Sequence, residues 1–404
     1  MSNDFTAKPT FVAALGLLTG LTALAIAISL PGIPEMVSSL ATSMANGQHF
    51  VGLFMGGMAV GQLPAGLLSD RMGRMPVLYA GVGLFIVFGL VAAMSTSMSK
   101  LLVARFLQGI GASTGMVLAR AIVRDVASGV QAARLMSLLV MILTVVPMLA
   151  PMLGAFLAET LGWRSTLYAL VVIGIVTLAL MRSSLKETHS PSLEHRIGRQ
   201  FWMSMREFFS HRQSIFGIVL LMLTAGGFMV LISGSASLIL EIYEYPVKAF
   251  GIIFALCGIA MFAGSMINRR LLLRMSPMQV SGIGALLVAA AGAQMLYIFW
   301  AGDAGFWWIW GNACLYMFGT GFLMPNAMAL ALEPVPKIAG MASSIIGTLQ
   351  GVAQVTSATL GSVLYDGTIG NITLIMGGAG MAILAVYLLR GAIVGVEAGP
   401  AAKP

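Results

Sequence analysis

Charged residues are scarce in this sequence. Only 9% of its 404 residues are Asp, Glu, Lys or Arg, where a soluble protein carries about 25%. That scarcity excludes an ordinary soluble domain and a disordered chain. Cysteine is nearly absent as well: Cys257 and Cys314 are the only two, both inside apolar runs and without C-x-x-C spacing. No disulfide framework or metal site follows from them. No Lys follows a Gly anywhere, which removes the P-loop and with it direct drive by ATP. No Lys lies within an apolar run, which removes a retinal Schiff base. The four histidines (His49, His189, His195 and His211) sit in or beside connections and lack metal-ligand spacing. Gly111-Ala112-Ser113-Thr114-Gly115 has the G-x-S-x-G pattern of a hydrolase elbow, but it falls in mid-run. It reads as small residues that let helices approach closely. No metal, cofactor or catalytic cluster is implied.

What is there is apolar: 58% of the chain, where a membrane-crossing helix uses about 20 such residues. Stretches of 17 or more residues without Asp, Glu, Lys or Arg fall at 11–34, 50–69, 75–99, 101–123, 135–158, 165–181, 213–240, 249–268, 275–302, 304–332, 338–365 and 367–389. Only the fourth breaks the rule, with Arg105 inside it and Arg120 at its far end. The expected fold is an all-α membrane protein of twelve transmembrane helices. Alternate connections then face opposite sides, and 18 of the 22 Lys and Arg fall on the side that holds both termini. Lys100, Arg164 and Lys248 lie on the other. Basic residues near spans resist translocation, so both termini are expected in the cytoplasm. The net charge of +8 thus has a membrane reason, and no nucleic-acid partner is needed to explain it. The first ten residues lack the features of a signal peptide, so the first run reads as a retained span.

The connection 182–212 is the longest and divides the chain into two six-helix halves, 1–181 and 213–404. Within it Phe201, Trp202, Met205, Phe208 and Phe209 fall on one helical face, interleaved with Arg199, Arg206 and Arg212, as in a helix lying in the cytoplasmic interface. A repeat supports the halves. Gly66 precedes Asp70-Arg71 by four residues after span 2, and Gly264 precedes Asn268-Arg269 by four after span 8.

Three segments carry more than span signal. After span 2 comes Gly66-Leu67-Leu68-Ser69-Asp70-Arg71-Met72-Gly73-Arg74, a tight turn in which Gly73 supplies backbone freedom and Asp70 can pair with a basic group. It resembles the signature loop G-x-L-x-D-R-x-G-R-[RK] of the major facilitator superfamily, with Met75 where a second basic residue is usual. Span 4 has Arg105-Phe106-Leu107-Gln108-Gly109-Ile110-Gly111, similar to that superfamily's R-x-x-Q-G-x-G motif. An arginine in a span usually faces a cavity or a partner, and Gln108 at i+3 favours a shared polar face over snorkelling. Span 5 has Pro147, Ala150, Pro151 and Gly154, which resemble the G-P-x-x-G-G antiporter motif of its exporters, though Ala150 and Ala155 replace two glycines.

With Arg120-Ala121-Ile122-Val123-Arg124-Asp125, Ile232-Ser233-Gly234-Ser235, Asn268-Arg269-Arg270 and Gly347-Thr348-Leu349-Gln350, the chain looks like the Bcr/CflA group of drug:proton antiporters. That resemblance implies a monomeric exporter of small antibacterials in the bacterial inner membrane, with drug, protons and the bilayer as its partners. An importer or metabolite exporter on the same fold is the alternative, a membrane-embedded enzyme or receptor the remoter one. One departure matters. That group reads D-x-Y-L-P-x-x-P in span 1, where this chain has Ala27-Ile28-Ser29-Leu30-Pro31-Gly32-Ile33-Pro34. With the acid gone, coupling rests on terminal acids such as Glu35, Asp125 or Glu241, each of which also reads as an ordinary helix-end charge, or on a changed mechanism. Arg105, Gln108, Tyr316, Asn326, Gln350 and Gln354 are the candidate pathway residues, and Gly66, Asp70, Arg71, Gly73 and Arg74 the gating loop. An acid-free cavity is expected to favour neutral compounds such as phenicols over permanent cations. The 30 methionines suit an adaptable apolar pocket, or plain packing.

Overall fold

The computed structural model describes residues 9–127, 129–188 and 197–394, so His189 and His195 lie outside the described residues. Its helices are α1 (Pro9–Ala27), α2 (Ile33–Ser39), α3 (Met44–Met72), α4 (Arg74–Ala93), α5 (Met98–Val126), α6 (Gly129–Leu161), α7 (Trp163–Ser184), α8 (Ile197–Ser210), α9 (Arg212–Ala236), α10 (Val247–Leu271), α11 (Pro277–Ala301), α12 (Phe306–Leu332), α13 (Ala339–Val363), α14 (Gly370–Leu388) and α15 (Arg390–Val394). No strand occurs among the described residues.

Span 1 is not the single run 11–34 that its composition suggests. α1 stops at Ala27, a 3-10 turn covers Leu30–Gly32, and α2 begins at Ile33. Pro31 and Pro34 explain the break, because each lacks an N–H and disfavours helix in the residue before it. Span 7 likewise ends in a π-helical turn over Ser237–Ile242. Eleven stretches among the described residues are long and apolar enough to cross a membrane. The expected span 338–365 is the exception. Its helix, α13, has the length of a span, but carries nine Ser, Thr and Gln residues among its 25. Several of them face the other half or the central cavity, which is why they need no lipid.

Within each half the helices touch backbone to backbone. A Cβ on Gly57 of α3 would collide with the Phe106 carbonyl of α5, and one on Gly109 of α5 with the Phe54 carbonyl of α3. Gly111 and Gly115 do the same against Gly81 and Leu18, which accounts for the small-residue run in span 4. The halves meet along α3 with α13 and α6 with α10. α8 packs on α9 and α13, and its apolar residues do not all share one outer face. Phe208 is wholly buried, whereas Trp202, Met203 and Phe209 are exposed, so one ring anchors the helix while the others stay outside.

Gly57→Val should cost about 2 kcal/mol or more through overpacking against Phe106, while Gly83→Val, with nothing within 4 Å of its Cβ, should cost little. Thermal unfolding of the two purified variants checks this. Equal midpoints would mean that the α3–α5 crossing can yield.

Candidate transport cavity

A cavity of about 500 Å³ lies between the halves. Its deep wall is formed by Leu30, Leu231 and Phe254, and its lining continues to Arg120 and Arg124 near the basic end of α5, where Arg124 is exposed. The cavity therefore opens toward the basic face. Nine methionines line it, together with the neutral hydrogen-bonding groups of Thr22, Gln62, Gln350 and Gln354. No Asp or Glu does so among the described residues. Ala27 stands on its wall, so the missing span 1 acid would have pointed its charge here.

The opposite end is closed by hydrogen bonds between the halves. Gln48 Nε2 donates to Ser237 Oγ at 3.0 Å, and Asn371 Nδ2 to Gln48 Oε1 at 3.5 Å. The Ser362 hydroxyl donates to the Ala45 carbonyl at 2.6 Å, leaving its oxygen to accept from His49 Nε2 at 2.9 Å. Beyond this clasp, Tyr365 donates to Glu241 at 2.7 Å.

The sequence candidates divide. Gln350 and Gln354 line the cavity, but Arg105, Gln108, Tyr316 and Asn326 do not. Arg105 is fully buried among α1, α3 and α5. Its guanidinium donates to Gln108 Oε1 at 2.8 Å and to the Ala25 carbonyl at 2.7 Å, and it lies over the rings of Phe50 and Phe54 at 4.2 and 4.4 Å. Snorkelling is ruled out by that burial, and so is direct contact with the cavity in this conformation. Tyr316 is buried against Gly227, and Asn326 donates to Asn268 Oδ1 at 2.7 Å. In place of these, the cavity takes its charge from Arg120 and Arg124. The i,i+4 spacing that puts both on one face was legible, but the sequence reading used the pair only as a family motif.

None of the three terminal acids lines the cavity. Glu35 accepts from the Trp163 backbone N–H at 2.9 Å, capping the start of α7. Glu241 is held by Tyr365. Asp125 pairs with Arg74 Nε at 3.0 Å. Arg74 also donates to Asp70 and to Ser69 Oγ, and Glu187 accepts from the backbone N–H groups of Arg74 and Met75. Gly73 makes the turn at φ +94°, a conformation L residues resist. Arg71 points out to solvent, and Met75, the departure from the signature, is buried. In span 5, Pro147 lines the cavity, Ala150 and Pro151 are buried, and a Cβ on Gly154 would strike the Ile28 carbonyl at the break in α1.

A cavity at the seam of two helix bundles, closed at one end and open at the other, is the arrangement of a membrane transporter. The Major Facilitator Superfamily profile matches residues 15–358, and the chain belongs to that family. It is 31% identical to multidrug resistance protein D of Escherichia coli over 377 residues, 93% of this chain and 94% of that one. It is 27% identical to a bicyclomycin resistance protein homolog of Haemophilus influenzae over 384 residues, 94% and 96% of the two chains. The D-xylose-proton symporter shares the fold with a TM-score of 0.77 at 16% identity, covering 97% of this chain and 98% of that one.

Arg105→Ala should lower stability by about 3 kcal/mol, since it leaves Gln108 and the Ala25 carbonyl without their charge-assisted partner. Arg105→Lys should fall between the two, keeping the charge but not the planar fork. Thermal unfolding of the purified proteins is the measurement. An alanine variant as stable as the wild type would remove the structural role assigned to this residue.

Proposed function

We propose that the chain exports small amphiphilic antibacterials by drug:proton antiport, the two halves alternating access to the cavity, with the basic face and both termini in the cytoplasm of a bacterial inner membrane. The observation that carries this reading is the cavity itself. A methionine-rich wall adapts to varied apolar shapes, and a few neutral amides and hydroxyls can orient a cargo without demanding one structure. The names of its relatives, resistance proteins for bicyclomycin and for multiple drugs, support export. Two guanidinium groups and, among the described residues, no carboxylate at the wall make the cavity positive. Neutral, zwitterionic or anionic compounds are then accepted, whereas a permanent cation would enter unpaired at a cost of several kcal/mol.

Expression in an efflux-deficient bacterial host should raise resistance to a phenicol and not to a quaternary ammonium dye, and an uncoupler should abolish the gain. Unchanged susceptibility to the whole panel would overturn the export reading. Ala27→Asp restores the family's acid on the cavity wall and should improve dye export several-fold. A dye exported as well by the wild type as by the variant would contradict the charge argument.

Coupling is assigned to Asp125, because it alone of the three terminal acids shares its partner with the gating loop. Protonation of Asp125 removes one of the two carboxylates that hold Arg74, and so loosens that loop. Asp125→Asn should leave export of a neutral drug down its gradient intact but make it insensitive to the proton gradient. Transport assays in vesicles with and without an imposed pH difference check this, and a variant that still responds like the wild type sinks the assignment.

A further inference from the structure

Cys257 and Cys314 have no part in the transport reading, yet the fold brings their sulfurs to 3.6 Å. The placement follows from how α10 and α12 run side by side. Trp310 Nε1 donates to the Ile253 carbonyl at 2.9 Å, an offset of 57 residues, and Cys314 faces Cys257 at the same offset. Two turns further on, Gly264 and Gly321 mark the closest backbone approach, where a Cβ on the first would strike the Phe318 carbonyl. Beyond them Asn326 donates to Asn268 at an offset of 58. A constant offset means parallel helices in fixed register, so the sulfurs are held in place from both sides. Cys257 also lines the cavity, and Cys314 stands beside it, half-buried and outside the lining, so a solute that reacts with Cys257 finds the second thiol within 3.6 Å.

The pair suits a particular chemistry. A zinc ion asks for three or four protein ligands, and among the described residues no third His, Cys, Asp or Glu joins these two. A thiophilic electrophile that needs only two sulfurs, and brings its remaining substituent with it, is fully served. We propose that Cys257 and Cys314 form a dithiol site for trivalent organoarsenicals that enter through the cavity. An arsenoso group, R–As=O, reacts with both thiols so that two As–S bonds form and the arsenic–oxygen bond breaks. The oxygen leaves as water with the two thiol protons. Arsenic stays trivalent, no electron is transferred, and the product is neutral, so the low-dielectric wall imposes no charge penalty. The bridged adduct ties α10 to α12 and occupies the cavity wall, which blocks cargo. That last consequence rests on the transport reading; the site does not.

The test uses purified full-length protein and phenylarsine oxide. One adduct per chain is expected by intact mass, with both thiols protected from alkylation after denaturation. A dithiol such as dimercaptopropanol should strip the adduct, while excess 2-mercaptoethanol should not, because only a chelating competitor matches two As–S bonds. Cys257→Ser and Cys314→Ser should each weaken binding at least tenfold, and the alanine variants serve where a serine variant does not purify. No adduct on the wild type, an adduct removed by the monothiol, or single variants that bind like the wild type would each overturn the proposal. In the resistant host, phenylarsine oxide should block phenicol export by the wild type and not by Cys314→Ala. A host that shows no phenicol export, with the adduct still formed in vitro, refutes the transport reading and leaves the site standing.

Discussion

Helices that meet in lipid gain nothing from the hydrophobic effect, so close contact and hydrogen bonding must hold them together. In this chain glycine decides where that contact is tightest. Inside the halves many glycines face backbone, as Gly57 does against Phe106, Gly217 against Ala327 and Ala331, Gly264 against Phe318 and Gly292 against Gly377 and Gly380, while others, such as Gly81 against Thr114 and Gly227 against Tyr316, make room for a side chain. Across the seam they face mostly side chains: Gly258 against Met148, Gly347 against Gln62, Gly351 against the Ala59 methyl. Gly251, against the Met152 backbone, is the exception. Backbone contacts cannot adjust without moving a whole helix, whereas methionine and glutamine side chains change rotamer readily. Two stiff bodies joined along an adaptable seam are the mechanical requirement of the alternating access proposed for this protein.

The same medium governs charge. Inside the first half Arg105 is tolerated because a carbonyl, an amide and two aromatic faces surround it. Arg120 and Arg124 stand instead where the cavity admits water or cargo. Losing the acid at Ala27 therefore changes more than one side chain. It leaves Arg120 and Arg124 without an acid among the described lining residues, and the positive sign proposed for the cavity follows.

Much of the fold was legible because span length is a one-dimensional signal. Twelve charge-poor runs and the Gly73 turn could be read directly, and the span 4 glycines announced a helix crossing. The break at Leu30–Gly32 was also written in Pro31 and Pro34, but a count of charge-free residues does not register it. The site was less legible. Gln350 and Gln354 were found, whereas Arg105 and Asn326 turned inward to partners within their own half and Tyr316 to packing against Gly227. Polarity within a span says that a group needs a partner; it does not say whether that partner is cargo, water or a neighbouring helix. The clasp of Gln48, His49, Ser237, Ser362 and Asn371 joins residues up to 323 positions apart, a pairing no local pattern reveals. The cysteine pair escaped for the same reason, since its 57-residue spacing acquires meaning only once α10 and α12 lie parallel.

The clasp also sets an energy scale for the proposed cycle. A net hydrogen bond contributes about 1 kcal/mol in water, and interhelical ones measured in membranes average about 0.6. Its four bonds thus hold the far end shut by roughly 2 to 4 kcal/mol. Driving a two-state equilibrium from one extreme to the other takes about 5.5 kcal/mol of differential binding. A clasp of this size lies below that figure, so a cargo that binds the alternate state more tightly, aided by protonation at the gating loop, can open it. A clasp built of buried ion pairs would be harder to open, because each broken pair leaves an uncompensated charge that costs about 3 to 5 kcal/mol. The far end is fastened by neutral amides, hydroxyls and an imidazole, and that choice of chemistry keeps it strong enough to seal and weak enough to release.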